Sequence, residues 1–381
     1  MRLTTAGESH GVGLFAIVEG LPAHLRIDTD VINAELALRQ HGFGRGARQK
    51  IEKDCVEILC GVRGGVTLGS PVALAVKNAD YQNWADVMAV SEAVWKENSA
   101  LERAVTAVRP GHADLAGVMK FAQTDARNVL ERASARETAV RVAAGGIFKQ
   151  YLAALGVEIG GCVREICGVK DEKEYSFAEL CESKKTELGI LDEEVSLCAK
   201  QKIEELFAVG DTAGGVVEVR VKGLKSGFGS PMTYAEKLDG RLAGALMGVQ
   251  AVKGVEIGGG FSAAGVRGSE FHDEIFYEDG RGFFRKTNRA GGIEGGTSNG
   301  EEIVVRVAMK PLPTLKKGLK TVDIVSKESS VAAKERADVC AVFALMVVAE
   351  AVVAEVIASA VAERLGGDYL EEVIERYQKL P

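Results

Sequence analysis

Five histidines are few enough to weigh singly. His10 sits in Gly7-Glu8-Ser9-His10-Gly11, where flanking glycines free the backbone and leave a loop able to wrap a ligand. The plainer reading is a turn histidine near the chain start. Serine beside histidine is no hydrolase signal, because adjacent side chains seldom form a nucleophile-to-base hydrogen bond and no G-x-S-x-G elbow is present. His112, in Arg109-Pro110-Gly111-His112-Ala113-Asp114, has a guanidinium three residues away and a carboxylate two residues away. An imidazole so placed is a candidate proton donor to an anion. His24, His41 and His272 have no comparable setting.

Anion-binding chemistry recurs along the chain. In LRQHGFGRGAR, Arg39, Arg45 and Arg48 supply forks that bind carboxylate or phosphate bidentately, and the glycines between them let backbone approach a ligand. A rival reading is an RGG-like RNA segment, although such segments usually repeat and sit in basic chains. Arg132, Ser134 and Arg136 fall where a long helix is expected to open, and free N–H groups there favour a phosphate or flavin edge; simple capping is the alternative. Arg336-Ala337-Asp338 is expected on the last helix beside an apolar run, where a carboxylate needs a partner or a task. There is no P-loop pattern.

Those residues need a scaffold, and the chain has the means to build one. Its 381 residues are 46% hydrophobic and can bury a large core. The net charge of -7 provides no global basic field for nucleic acid or anionic membrane, so any anion site is local. Seven scattered cysteines without a C-x-x-C pair, and no histidine at zinc-ligand spacing, suit a reducing cytoplasm and no bound metal. A motif within the first seven residues leaves no room for a signal peptide. The most apolar stretch, Val339 to Ala349, stops at Glu350 and is read as a buried helix and not a membrane span.

Periodicity predicts three long helices, at about 131–155, 232–252 and 331–365, each with a wide apolar face. GVEIGG occurs at Gly156 and again at Gly254, each time after a helical pattern, and Gly-Gly turns lead into alternating strands at Gly64, Gly214 and Gly295. Val217, Val219 and Val221 alternate with Glu218, Arg220 and Lys222, which predicts one buried and one wet face and therefore an antiparallel sheet. The expected architecture is α+β, with helices packed on antiparallel sheets, weak internal duplication and a single domain over 1–381. Residues 171–204 read as a helical excursion whose charges are solvated.

GESHGVGLFAIVEGLP, RPGHAD, ERASARETAVRVAAGG, TNRAGGIEGGTSNG and RADVCAVFALMVVAEA resemble, in order and spacing, the signature segments of the chorismate synthase family. The resemblance runs from Arg2 to beyond Glu350. It implies a β-α-β sandwich, a homotetramer, reduced FMN not consumed in the net reaction, and a carbon–oxygen lyase. The implied reaction is anti-1,4-elimination of phosphate from 5-enolpyruvylshikimate-3-phosphate (EPSP) to give chorismate, the last common step toward the aromatic amino acids.

By the same resemblance, FMN would contact Arg132, Ala133, Ser134, Gln250, Ala251, Gly295, Lys310, Pro311, Leu312, Pro313, Thr314 and Arg336. EPSP would be gripped by Ser9, His10, Arg39, Arg45, Arg48 and Arg136. Proton transfer would fall to His10 at the leaving phosphate, to His112, and to Asp338 on the flavin side. The sequence departs from the family pattern at Leu312-Pro313-Thr314, at Gln250 where asparagine is usual, at Ala133 and Ala337 where serines are frequent, and in His41-Gly42-Phe43-Gly44. None of these removes a proton-transfer group, so activity is expected. An NADPH-dependent flavin reductase is a rival, but no Rossmann fingerprint is present and NADPH is expected at most as a reductant, external or intrinsic.

Overall fold

The computed structural model describes residues 1–46, 53–333 and 338–381. Arg48 and Arg336 lie outside the described residues. Two antiparallel sheets enclose a layer of helices. The first sheet is formed by β1 (Arg2–Gly7), β2 (Gly13–Glu19), β3 (Val56–Cys60) and β4 (Val72–Lys77), in the order β1-β2-β4-β3. The second comprises β5 (Glu158–Ile166), β6 (Val169–Lys170), β7 (Gly215–Lys222), β8 (Val252–Ile257) and β9 (Ile303–Met309), in the order β8-β9-β7-β5-β6. Both GVEIGG copies enter this second sheet directly after a helix, as β5 and β8.

The helices that matter for the site are α1 (Thr29–Gln40), α2 (Asp114–Phe121), α3 (Arg127–Ala133), α4 (Thr138–Ala153), α5 (Glu193–Val209), α6 (Leu238–Met247) and α7 (Val342–Leu365). α4 packs on the first sheet and α7 on the second, and the two helices pack on each other. Their approach is close because Gly145 faces Ala351: a Cβ at Gly145 would stand 2.3 Å from that of Ala351. One continuous core joins Leu14 and Val76 of the first sheet, Ile147 and Val353 of the helical layer, and Val219 and Val305 of the second sheet.

All three long helices differ from the periodic expectation. The first breaks at Ser134, whose ψ of 141° leaves the helical region; a single 3-10 turn, Ala135–Glu137, then leads into α4. The second shrinks to Leu238–Met247, since Gly248 caps it and Ala251 turns left-handed at φ 69°. The third begins only at Val342, so Asp338 lies in the segment before it and not on a helix. That helix nevertheless runs through Glu350 for 24 residues and is long and apolar enough to cross a membrane. Its apolar window is 94% buried between the sheets, which makes it a core helix.

The expected wet face of β7 is covered at Glu218 and Arg220, and only Lys222 at its end is exposed. Glu218 is fully buried there, taking Arg164 at 3.1 Å, Arg220 at 2.7 Å and Arg306 at 2.9 Å. The cover is the excursion after Asp171. Arg164 donates to the Lys173 carbonyl at 2.6 Å and Arg220 to that of Tyr175 at 2.9 Å, while Phe177 and Leu180 pack on Gly160. Nor are all of its own charges solvated, since Asp171 is buried and Lys184 pairs with buried Glu350, and period-two polarity in β7 marks a buried ion cluster instead of solvent.

Candidate active site

A cavity of about 730 Å³ opens where the loops after β1 and α1, the turn before α2, the start of α4 and the segment before α7 converge. Its size falls in the range of roughly 300–1,000 Å³ usual for small-molecule sites. It gathers Ser9, His10, Arg39, Arg45, His112, Ala133, Ser134, Arg136, Gln250, Ala251, Lys310, Leu312, Pro313, Thr314 and Asp338. Residues separated by more than three hundred positions thus meet on one surface.

His10 is held from three directions. Its Nδ1 lies 2.9 Å from both oxygens of Glu131, its backbone N–H donates to Glu131 Oε2 at 2.9 Å, and its ring stacks on Trp84 with centroids 4.0 Å apart. Arg103 and Arg127 lie over the same indole, at 4.2 and 4.9 Å. The loop is pinned below as well: Asn78 donates to the carbonyls of Glu8 and Gly11 at 3.0 and 2.8 Å, and Ser9 N–H donates to the Glu131 carbonyl.

Across the cavity, His112 Nδ1 makes a short contact with Asp114 Oδ1, and Arg109 donates to both Asp114 oxygens at 2.8 and 3.0 Å. Burial acts to raise the Asp114 carboxyl, but hydrogen bonds from His112 and Arg109 together with their charges carry it far below the usual range. Asp114 opens α2, where a negative charge also meets the positive helix end.

The arginine loop divides into two kinds of group. Arg39 is buried and committed to protein: Nε donates to Thr138 at 2.9 Å, Nη1 to Asp54 at 3.3 Å and Nη2 to the Ala135 carbonyl at 3.1 Å. Burial lowers its pKa to about 9, against the attraction of Asp54. Arg136 shares that carboxylate at 2.7 Å and donates to Asn78 at 2.9 Å. Arg45 is less committed. Its Nε stands 3.3 Å from Asp338 Oδ2, close enough for ion pairing but not angled for a hydrogen bond. Asp338 Oδ1 accepts from Gly46 N–H at 2.6 Å, and Val339 N–H donates to the Gly44 carbonyl at 2.8 Å, which stitches the arginine loop to the segment before α7. The partner that a carboxylate beside the apolar run needs is thus supplied to Asp338 by the arginine loop.

Three of the expected cofactor contacts stand apart from the cavity wall. Arg132 turns its guanidinium to β1, donating to Thr5 Oγ1 at 2.8 Å and to the Thr5 and Gly7 carbonyls at 3.1 and 3.3 Å. Gly295 is the tip of an exposed hairpin, where φ 60° explains the glycine without a ligand. Pro311 is exposed between wall residues Lys310 and Leu312. Sequence reasoning had assigned no role to Trp84, Arg103 or Glu131, which only the fold brings to His10.

Among the described residues the wall carries Arg39, Arg45, Arg103, Arg109, Arg136 and Lys310 against Asp80 and Asp338, with Asp54, Asp114 and the Arg127–Glu131 pair behind it. Seven fixed cations face five carboxylates, a local surplus that suits a polyanion in a chain of net negative charge. A flat, polar-edged group such as a flavin also fits. Gln250 Oε1 is buried in the wall without a hydrogen-bond partner, an acceptor suited to a ring N–H, and Val249, Leu312, Leu345 and Val348 offer apolar surface for a ring face. Lys310 donates to the Gly111 carbonyl, and burial lowers its pKa.

Comparison with known proteins gives a consistent result. The chorismate synthase family matches residues 1–362. A chorismate synthase from Geobacter metallireducens is 52% identical over 386 residues, covering 99% of this chain and 97% of the relative. One from Thermus thermophilus is 51% identical over 379 residues, covering 100% and 98%. A crystal structure of chorismate synthase superimposes with a TM-score of 0.80 at 41% identity, covering 99% of this chain and 96% of that one.

Proposed function

Because the chain belongs to the chorismate synthase family, lyases that eliminate phosphate from EPSP to give chorismate, we propose that this cavity is the elimination site and that His10, His112 and Asp338 move its protons. The observation that carries the reading is the meeting of both loop histidines and six cationic side chains on one cavity of about 730 Å³. The RNA-binding and flavin-reductase readings have no support from this family membership.

Arg45, Arg136, Arg39 and Arg109 neutralise the phosphate and two carboxylates of EPSP, and their fixed positions lower the reorganisation needed as charge moves to the departing phosphate. Arg39 acts largely by holding Asp54 and the start of α4 in place. His10 gives a proton from Nε2 to the leaving phosphate while Glu131 holds Nδ1. His112 holds a proton on the opposite wall under the control of Asp114. Asp338 accepts a proton at a carboxylate oxygen, next to the arginine loop that it also organises.

Reduced flavin, required generally in this family, would when bound supply transient electron donation, so that the anti elimination need not be concerted. We assign it as FMN, held by Gln250, Ala251, Ser134, Lys310, Leu312, Pro313 and Thr314, with NADPH acting as an external reductant. We also read the assembly as a homotetramer. Apolar side chains left open at Met232, Tyr234, Phe261 and Phe283 support association of copies. The seven free cysteines support a reducing cytoplasm.

Purified protein supplied with EPSP and chemically reduced FMN under anaerobic conditions is expected to release chorismate and phosphate in equal amounts. Absence of both products from folded, flavin-bound protein would overturn the reading. Light scattering checks the tetramer.

A further inference from the structure

We infer that Glu131 is a positioning residue for the elimination: it fixes the tautomer and aim of His10, so that Nε2 is the nitrogen presented to the leaving group. This rests on the reading of His10 as the phosphate-side acid and adds a residue to it.

The geometry is specific. Both Glu131 oxygens lie 2.9 Å from His10 Nδ1, one of them also accepts the His10 backbone N–H at 2.9 Å, and the Glu131 carbonyl accepts Ser9 N–H at 2.9 Å. One residue thus holds the ring and the loop that carries it. An ionised carboxylate only accepts, so the ring must keep its proton on Nδ1, and exchange with a reactant falls to Nε2. Among the described residues the ring makes its hydrogen bonds through Nδ1 and none through Nε2. Glu131 remains an anion although its side chain is 2% exposed: burial raises its carboxyl, but His10 and Arg127, whose Nη1 donates at 2.8 Å, bring it below the ordinary value. Arg127 in turn is fixed by the Arg103 carbonyl at 2.6 Å. The opposite wall repeats the design, with Arg109 holding Asp114 and Asp114 holding His112 Nδ1. Two arginine–carboxylate–imidazole chains from unrelated parts of the sequence therefore end on one cavity. The plainer alternative is that Glu131 only neutralises Arg127 and shapes the loop.

The two roles separate in a double-mutant cycle. Glu131→Gln keeps the shape but removes the charge and allows the amide to donate to Nδ1. Its turnover is expected to fall about 10- to 100-fold with the affinities for EPSP and FMN within about threefold of the parent, since the loss belongs to a proton-transfer step. In a His10→Ala background the same change should cost less than about twofold, because there is no ring left to orient. Equal cost in both backgrounds, or loss of affinity matching the loss of turnover, overturns the proposal. If His10→Ala alone is fully active, it is the assignment of His10 as acid that fails. For the case in which Glu131→Gln does not fold, the parent protein labelled with 15N-histidine gives the answer directly: at a pH where His10 is neutral the proton should reside on Nδ1, and a proton on Nε2 overturns the proposal.

Discussion

Two of the buried charged clusters in this molecule, one in the helical layer and one at the cavity, are balanced differently. In the helical layer, Glu350 of α7 takes Lys149 at 2.5 Å and Lys184 at 2.7 Å, and Glu35 of α1 takes the same lysines at 2.6 and 3.2 Å. Two cations meet two anions, and the set ties α1, α4, α7 and the excursion together. At the cavity, the six cations of the wall and Arg127 behind it meet five carboxylates, Asp54, Asp80, Asp114, Glu131 and Asp338. The first cluster is electrically complete and serves the fold. The second keeps a surplus held rigid by Asp54, Asp114 and Glu131, which is the arrangement needed to receive phosphate and carboxylate groups without paying reorganisation at the moment of reaction. Burial and ion pairing are common to both, and between these two it is the net charge that differs.

The sharpest way to separate the two clusters is at His10. His10→Ala should lower turnover by roughly 10²- to 10⁴-fold while FMN affinity and thermal stability stay near the parent values. A variant as active as the parent would remove His10 from the chemistry. Glu350→Gln should do the reverse. Breaking a buried pair leaves lysine charge uncompensated and should cost about 3 kcal/mol of stability, measured by denaturant unfolding, with kcat unchanged. A catalytic defect without a stability loss would erase the distinction between the clusters.

Within the cavity, Arg45→Ala should weaken EPSP binding by about 1.5 to 3 kcal/mol, the range for hydrogen bonds to charged groups, and lysine should restore only part of it for want of a planar fork. Arg39→Ala is expected to behave differently, losing stability along with affinity, because all three of its nitrogens already serve the protein. Titration calorimetry with EPSP, paired with unfolding, tells these apart. Asp338→Asn keeps the shape but cannot take a proton, so turnover should drop at least about tenfold with EPSP affinity retained. If affinity falls as far as turnover, its bond to Gly46 is its main task.

A further contrast appears in acid. Burial raises the Glu35 carboxyl, but Lys149 and Lys184 bring it from 4.5 down to about 2. A carboxyl whose folded pKa is depressed adds stability that is complete above its unfolded value and is lost as pH falls through the folded one. The stability gap between the parent and Glu35→Gln should therefore be constant above pH 4.5 and close on acidification toward pH 2. A gap independent of pH would mean that Glu35 stabilises by packing alone.

Much of this was readable in the sequence, and for a physical reason. Loop histidines between glycines, arginines at short spacing and Gly-Gly turns into alternating strands are local patterns, and local patterns survive folding. His10, His112, Arg45, Arg136 and Gln250 do meet on one cavity, and β5 and β8 do follow helices as the GVEIGG echo implied. What the tertiary structure alone decided was partnership. Glu131 reads as one more charge in a helix until the fold brings it across 121 positions to His10. Arg39 is read as a ligand fork, yet Asp54, Thr138 and Ala135 take its donors. Arg132 matches a motif and still turns to β1, while the alternating charges of β7 promised solvent and meet three arginines under the excursion. Periodicity tells which residues can share a face, but what covers that face, and which charge answers which, depends on segments far away in the chain.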